Sequence, residues 1–318
     1  IVKLASNENP IGPSPLALAA MREQAAQAHL YPDGGGYHLR KAIAAANDVA
    51  METVVLGNGS NEIIELLGHC FLSPGAETVA AEHAFVVYRL MSELFGARCV
   101  EVPDPGLRHD LRAMLRAITP ATRLVFVANP NNPTGTRLAQ EELDDFMDRL
   151  PNHAVAVFDE AYYEFMEDPP DCLAYVREGR NAVVMRTFSK SQGLAGLRIG
   201  YGIMPERISQ WLGRARQPFN ANAMAQAAAR AAIADTDNQR RTREIVDRGR
   251  QRLEATLAAA GIEFVPSSAN FVLMRVGRGR QVFDALLRQG VIVRPMDSYK
   301  LPDWIRVSIG TPPQMDRF

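Results

Sequence analysis

Between residues 53 and 203, short β-branched runs alternate with amphipathic stretches. The runs at 53–56, 77–80, 98–102, 123–128, 154–159, 182–187 and 198–203 predict seven strands. Apolar residues at helical spacing predict helices over 61–72, 85–95, 111–118 and 140–150. Strand–helix alternation at this spacing defines an α/β domain: a mainly parallel seven-stranded sheet sandwiched by helices. Ligands of such sheets sit beyond the carboxyl ends of the strands. After Asn222 the pattern changes. Residues 223–234 and 237–260 read as helices, the second amphipathic and ending at Gly261. Short strands follow at 263–265, 270–275, 291–294 and 304–309, with one helix over 280–289. The expected division is a large domain over 32–222 and a smaller α+β domain from 1–31 and 223–318. The first 30 or so residues are too rich in Asn and Pro to stand alone. They are expected to join the small domain or reach across a subunit interface.

Composition narrows the function. The 318 residues are 47% apolar and 22% charged, with a net charge of −1. Nothing in this balance points to a surface built to neutralise nucleic-acid phosphates or bind an anionic membrane. No apolar run approaches the ~18 residues of a membrane span. Cys70, Cys99 and Cys172 are scattered and form no Cys-x-x-Cys, so neither a disulfide framework nor a zinc site is expected, and a reducing cytoplasm is. The histidines form no His-x-x-x-His pair, so no metal centre is expected. The chain opens on Ile1 rather than Met, and a preceding segment is expected. Only four lysines occur: Lys3, Lys41, Lys190 and Lys300. Any chemistry that needs a primary amine has these four candidates.

Several strand ends carry chemistry. Gly57-Asn58-Gly59-Ser60-Asn61-Glu62 follows a strand and opens a helix. Its glycines and free helix-start N–H groups suit an anion, although Glu62 breaks the Gly-x-Gly-x-x-Gly pattern. The plainer reading is a turn capped by Ser60 or Asn61. The apolar run 154–158 ends in Asp159-Glu160, a carboxylate pair at a strand's carboxyl end. No Gly-x-x-x-x-Gly-Lys-Ser/Thr run exists to make it a nucleotide-binding strand. Lys190 follows the strand 182–187 among apolar neighbours, where desolvation lowers an amine's pKa and frees it for Schiff-base chemistry. Arg198 adds a fixed cation suited to phosphate. The stiff turn from Asn129 to Gly135 can aim an Asn at a ligand. Phe85 can stack on a flat ring, though a core aromatic on a helix is the commoner outcome for such a residue.

Taken in chain order (the 57–62 cradle, Phe85, the Asn turn, Asp159, Lys190 and Arg198), these elements resemble fold-type-I pyridoxal-phosphate aminotransferases, and specifically the histidinol-phosphate aminotransferase family. The matching stretches are 4–10, 31–34, 57–63, Asn131-Asn132-Pro133-Thr134-Gly135, Asp159-Glu160-Ala161-Tyr162, 187–190, 193–200 and 305–310, nearly the whole chain. The resemblance implies pyridoxal 5'-phosphate held by Lys190, which then shuttles a proton as base and acid. Asp159 matches the partner of the ring nitrogen, Tyr162 and Asn132 the partners of the ring hydroxyl, and Phe85 the stacking aromatic. Ser60, Asn61, Thr187, Ser189 and Arg198 match the phosphate cup. Tyr31 matches a residue that reaches the phosphate of a neighbouring subunit, implying a homodimer with shared sites. Arg306 and Arg294 match or suit the substrate's anion. Asn61 stands where Asp is commoner, and Ser191-Gln192 where small or aromatic residues are. The resemblance further implies an N-terminal segment with a tyrosine near the substrate and a final C-terminal helix, both expected beyond residues 1–318.

The implied reaction transfers an amine from a small-molecule donor, histidinol phosphate, to a 2-oxo acid, 2-oxoglutarate. Aromatic amino-acid aminotransferases share every cofactor motif, and a phosphothreonine-type decarboxylase is a third reading. A non-catalytic cofactor sensor would need a DNA-binding segment, and a dehydrogenase or ATPase the missing glycine motifs.

Overall fold

The computed structural model describes residues 1–318. Seven strands form the large sheet: β2 (Val54–Gly57), β3 (Glu77–Ala81), β4 (Arg98–Val102), β5 (Thr122–Ala128), β6 (Val155–Asp159), β7 (Ala182–Thr187) and β8 (Gly200–Ile203). The chain before them opens with β1 (Val2–Lys3). Their order across the sheet is β2-β8-β7-β6-β5-β3-β4. Only β8 runs against its neighbours, pairing antiparallel with both β2 and β7. The central strands β5 to β7 are buried almost throughout, as expected where helices cover both faces.

The smaller sheet has the order β12-β13-β10-β9, from β9 (Phe264–Val265), β10 (Phe271–Arg275), β12 (Arg294–Pro295) and β13 (Trp304–Ser308). The single strand expected over 291–294 is split. Its first half, β11 (Val291–Ile292), pairs in parallel with β1, while Arg294 pairs with Arg306 on β13. The N-terminal segment therefore joins the small unit: Leu4 is 1% exposed within its core.

The helix Pro15–Ala25 packs instead on Ala223–Ala234, whose alanines 225, 228, 229 and 232 lie in the core of the large sheet. That packing continues past residue 222, where the composition changes. Pro15–Ala25, Tyr37–Asn47, Leu173–Arg177 and Glu206–Ala215 are helices outside the expected set. Two reasons are visible. Pro15–Ala25 is alanine-rich with a single buried residue, Ala17, so its apolar face is hardly marked. Leu173–Arg177 has only five residues, too few to display a period. No helix is long and apolar enough to cross a membrane.

Candidate active site

Parallel pairing brings Ala128, Asp159 and Thr187 to one edge of the sheet, because Ala128 pairs with Asp159, and Asp159 with Met185. The antiparallel strand β8 delivers Gly200 to the same edge, between Thr187 and Gly57. A cavity of about 470 Å³ opens there, against the small unit. Ser60, Asn61, Phe85, Asn132, Asp159, Tyr162, Thr187, Ser189, Lys190, Arg198, Arg294 and Arg306 all line it. Tyr31 does not. It is 83% exposed and stacks on Phe219 with ring centroids 4.6 Å apart.

One end of the cavity is a cradle. The helix Ser60–Phe71 begins after Gly59, which caps it at φ 81 with no side-chain hydrogen bond. The capping reading of Ser60 or Asn61 therefore fails, and the side chains there remain free of that task. A Cβ on Gly200 would press on the Ser60 amide and lie 2.8 Å from the Gly59 carbonyl carbon. Glycine is needed because strand and helix start touch backbone to backbone. Arg198 was expected within a strand, yet it sits in the left-handed region at φ 55, before β8 begins. That conformation turns its guanidinium under Gly59, where any side chain would meet it.

The middle of the cavity holds Asp159 and Lys190. Strand alternation sends Asp159 into the pocket while the adjacent Glu160 pairs with Arg186 at 2.8 Å beneath it. Asp159 is 7% exposed, and burial pushes its pKa up. Tyr88 Oη, donating to Oδ2 at 2.6 Å, and the Ala161 N–H, donating to Oδ1 at 3.1 Å, act against that rise. Lys190 donates from Nζ to the Ser6 carbonyl at 3.2 Å and lies 5.6 Å from the Tyr162 ring centroid. Burial, then Arg306 and Arg198, lower its pKa to about 8, against the opposing pull of Glu8 and Asp159. Tyr162 is buried, and its Oη accepts from Asn7 Nδ2 at 3.0 Å. Phe85 is half-buried and precedes the helix Val87–Leu94, so it faces the cavity rather than a helix core.

The far end is cationic. Arg306 is 6% exposed, donates from Nη1 to Oδ1 of Asn132 and from Nη2 to the Ala5 carbonyl at 3.1 Å. Its Nε is buried without a partner. The exposed Arg294, its cross-strand neighbour, reaches the same Ala5 carbonyl at 3.4 Å. Arrangements of this kind suit an anionic ligand group.

Sequence reasoning missed Tyr88, and assigned no role to Ala5, Ser6, Asn7 and Glu8 although it singled out their stretch. Tyr88 reads in the sequence as an ordinary apolar helix position. Asn7 has φ 54, a conformation that asparagine tolerates, but nothing in its neighbours announces its contact with Tyr162. The structure also gathers Glu82, His83 and Asp104, which the histidine spacing did not suggest. His83 Nδ1 lies 2.6 Å from Asp104, and Lys300 bonds Glu82 at 3.1 Å.

The fold and this cavity define an aminotransferase. The chain matches the aminotransferase class I and II family over residues 1–318, and it belongs to that family. Its relatives are narrower in kind. It is 54% identical to the histidinol-phosphate aminotransferase of Akkermansia muciniphila, covering 100% of this chain and 88% of that one. It is 47% identical to histidinol-phosphate aminotransferase 2 of Pseudomonas fluorescens Pf-5, covering 100% of this chain and 87% of that protein. Among solved structures, the histidinol-phosphate aminotransferase of Sinorhizobium meliloti in complex with pyridoxal-5'-phosphate superposes with a TM-score of 0.92. It is 29% identical over 99% of this chain and 88% of that one.

Proposed function

We propose that this protein transfers the amine of histidinol phosphate to 2-oxoglutarate with pyridoxal 5'-phosphate as cofactor. One observation carries the reading. The half-buried Lys190 amine, held near a pKa of about 8, shares one cavity with a buried carboxylate and with cations at both ends. The cavity fits the cofactor: the Gly59–Gly200 cradle leaves room where a Cβ would intrude, and Arg198 lies against it. Bound there, the cofactor supplies a carbonyl that condenses with amines and a ring that withdraws electrons from them.

The protein's own groups do the rest. Ser60, Asn61, Thr187, Ser189 and Arg198 grip the phosphate. Asp159 holds a proton on the ring nitrogen, and Tyr162 and Asn132 face the ring hydroxyl. Phe85 covers the ring. Lys190 binds the cofactor and later takes and returns a proton at the substrate's α carbon, a task suited to an amine neutral near pH 8. Arg306 and Arg294 hold the substrate anion, and two guanidiniums suit a phosphate dianion. The relatives' names support the same donor.

The protein acts as a homodimer, with Tyr31 reaching the partner's phosphate cradle. Leu30, Tyr31 and Phe219 support this, being 57%, 83% and 43% exposed on one face. Three free cysteines accord with a cytoplasmic setting.

The test mixes the cofactor-loaded protein with histidinol phosphate, phenylalanine, tyrosine or phosphothreonine and follows the cofactor's absorption. Histidinol phosphate should discharge the colour most efficiently. Efficient conversion by phenylalanine, with none by histidinol phosphate, overturns the donor assignment.

A further inference from the structure

Tyr88 has no part in the reaction outlined above. It follows Phe85 by three residues, at the start of the helix Val87–Leu94, and is 1% exposed. Its ring stacks on Phe126 with centroids 4.6 Å apart and planes 1° from parallel, and meets Phe85 edge-on at 5.7 Å. Packing against Phe126 and Phe85 restrains the buried ring, so the hydroxyl is held 2.6 Å from Asp159 Oδ2 at little entropic cost.

We propose that Tyr88 is a positioning residue for Asp159: its fixed hydroxyl ties one carboxylate oxygen and orients the remaining lone pairs toward the cavity, and the bond favours the carboxylate over the neutral acid. The consequence for the cofactor rests on the proposed pairing of Asp159 with the ring nitrogen.

The physical need is plain. A buried carboxyl without donors gives up its charge. The groups facing Asp159 are Tyr88, Tyr162, Glu160, Lys190 and the Ala161 N–H. Glu160 disfavours the charge, while Tyr88, Ala161 and Lys190 favour it. Lys190 cannot serve as a constant counter-charge, because the proposed reaction moves a proton on and off it. The Tyr88 hydroxyl carries no charge but is a constant donor, because burial and Asp159 itself push its ionisation well above the ordinary range and so keep the proton on it. Phe85 and Tyr88 thus set two features of one site from a single helix start: the aromatic cover and the orientation of the carboxylate.

Tyr88→Phe removes the hydroxyl and keeps the ring. In cofactor-free protein, the Asp159 carboxyl titration, read by carbon-13 NMR, should rise by about one to two pH units. Cofactor affinity should fall roughly 10- to 100-fold, the range for a hydrogen bond to a charged group. In the Asp159→Asn background the same change should have little further effect on affinity. Phe126→Leu, which loosens the packing and keeps the hydroxyl, should lower the melting temperature and move the titration clearly less than Tyr88→Phe does. An unmoved titration in Tyr88→Phe, or an equal movement in Phe126→Leu, overturns the proposal. A raised titration with unchanged cofactor affinity supports the role of Tyr88 and counts instead against the pairing of Asp159 with the cofactor.

Discussion

Arg306 on β13 donates a hydrogen bond to Asn132 in the turn after β5, so the small sheet and the large sheet meet inside the cavity. The same guanidinium spends Nη2 on the Ala5 carbonyl and leaves a buried Nε unpartnered. A lysine has no planar fork with which to repeat these contacts. Arg306→Lys should therefore raise KM for an anionic amine donor roughly 10- to 100-fold, the range for charged hydrogen bonds. Cofactor affinity should change little. Steady-state kinetics beside a cofactor titration will separate the two, and an unchanged KM would remove Arg306 from substrate binding.

Gly200→Ala should weaken the cofactor's phosphate cradle. The added methyl would press on the Ser60 amide and come within 3.0 Å of the Arg186 carbonyl, both of them backbone. Overpacking of this kind costs about 1–3 kcal/mol, or roughly 5- to 150-fold in cofactor affinity if the helix start takes the strain. Gly213→Ala, in the helix Glu206–Ala215 with nothing within 4 Å of the added carbon, is the control. It should leave cofactor binding intact and stabilise the fold slightly.

Glu160→Gln should destabilise the fold while sparing cofactor binding, since losing the negative charge beside Asp159 can only favour the Asp159 carboxylate. Side chains of Glu160 and Arg186 are 1% and 7% exposed, and Arg186 also lies 3.7 Å from the Tyr163 ring centroid. Removing one partner strands the other charge in the interior, at a cost of about 3–5 kcal/mol. Denaturant unfolding should register that loss, while the folded fraction still binds cofactor normally. If binding fails in step with Glu160, the carboxylate belongs to the site and not to the scaffold below it.

Much of this was legible in the chain. Apolar runs ending in Asp159 and Thr187 mark strand ends, and the parallel sheet brings those ends together regardless of distance in sequence. Lys190 and Arg198 follow the same logic. What stayed hidden depends on contacts that no local pattern encodes. Tyr88 meets Asp159 across 71 residues, and Asn7 meets Tyr162 across 155. Arg198 reads as the start of a strand because its β-branched neighbour extends the run, and only the close approach to Gly59 calls for its left-handed backbone. The division of β11 from β12 likewise answers to two partners, Val2–Lys3 and Arg306, supplied by opposite ends of the chain.

The Lys190 amine should show its environment in its pH dependence. Burial and the nearby Arg306 and Arg198 all disfavour the ammonium form, so the lowered pKa of about 8 means that the amine is charged below pH 8 and neutral above it. Capture of pyridoxal phosphate by cofactor-free protein should accelerate as pH rises through about 8 and then level off. Arg306→Gln removes the leading charge that depresses the amine, and should move that midpoint upward.

The most direct measurement is chemical trapping. Cofactor-loaded protein is reduced with borohydride, digested, and searched by mass spectrometry for the lysine that carries the cofactor. The adduct should fall on Lys190 alone among Lys3, Lys41, Lys190 and Lys300, and Lys190→Ala should abolish it. An adduct on another lysine, or one that persists in Lys190→Ala, would contradict the account.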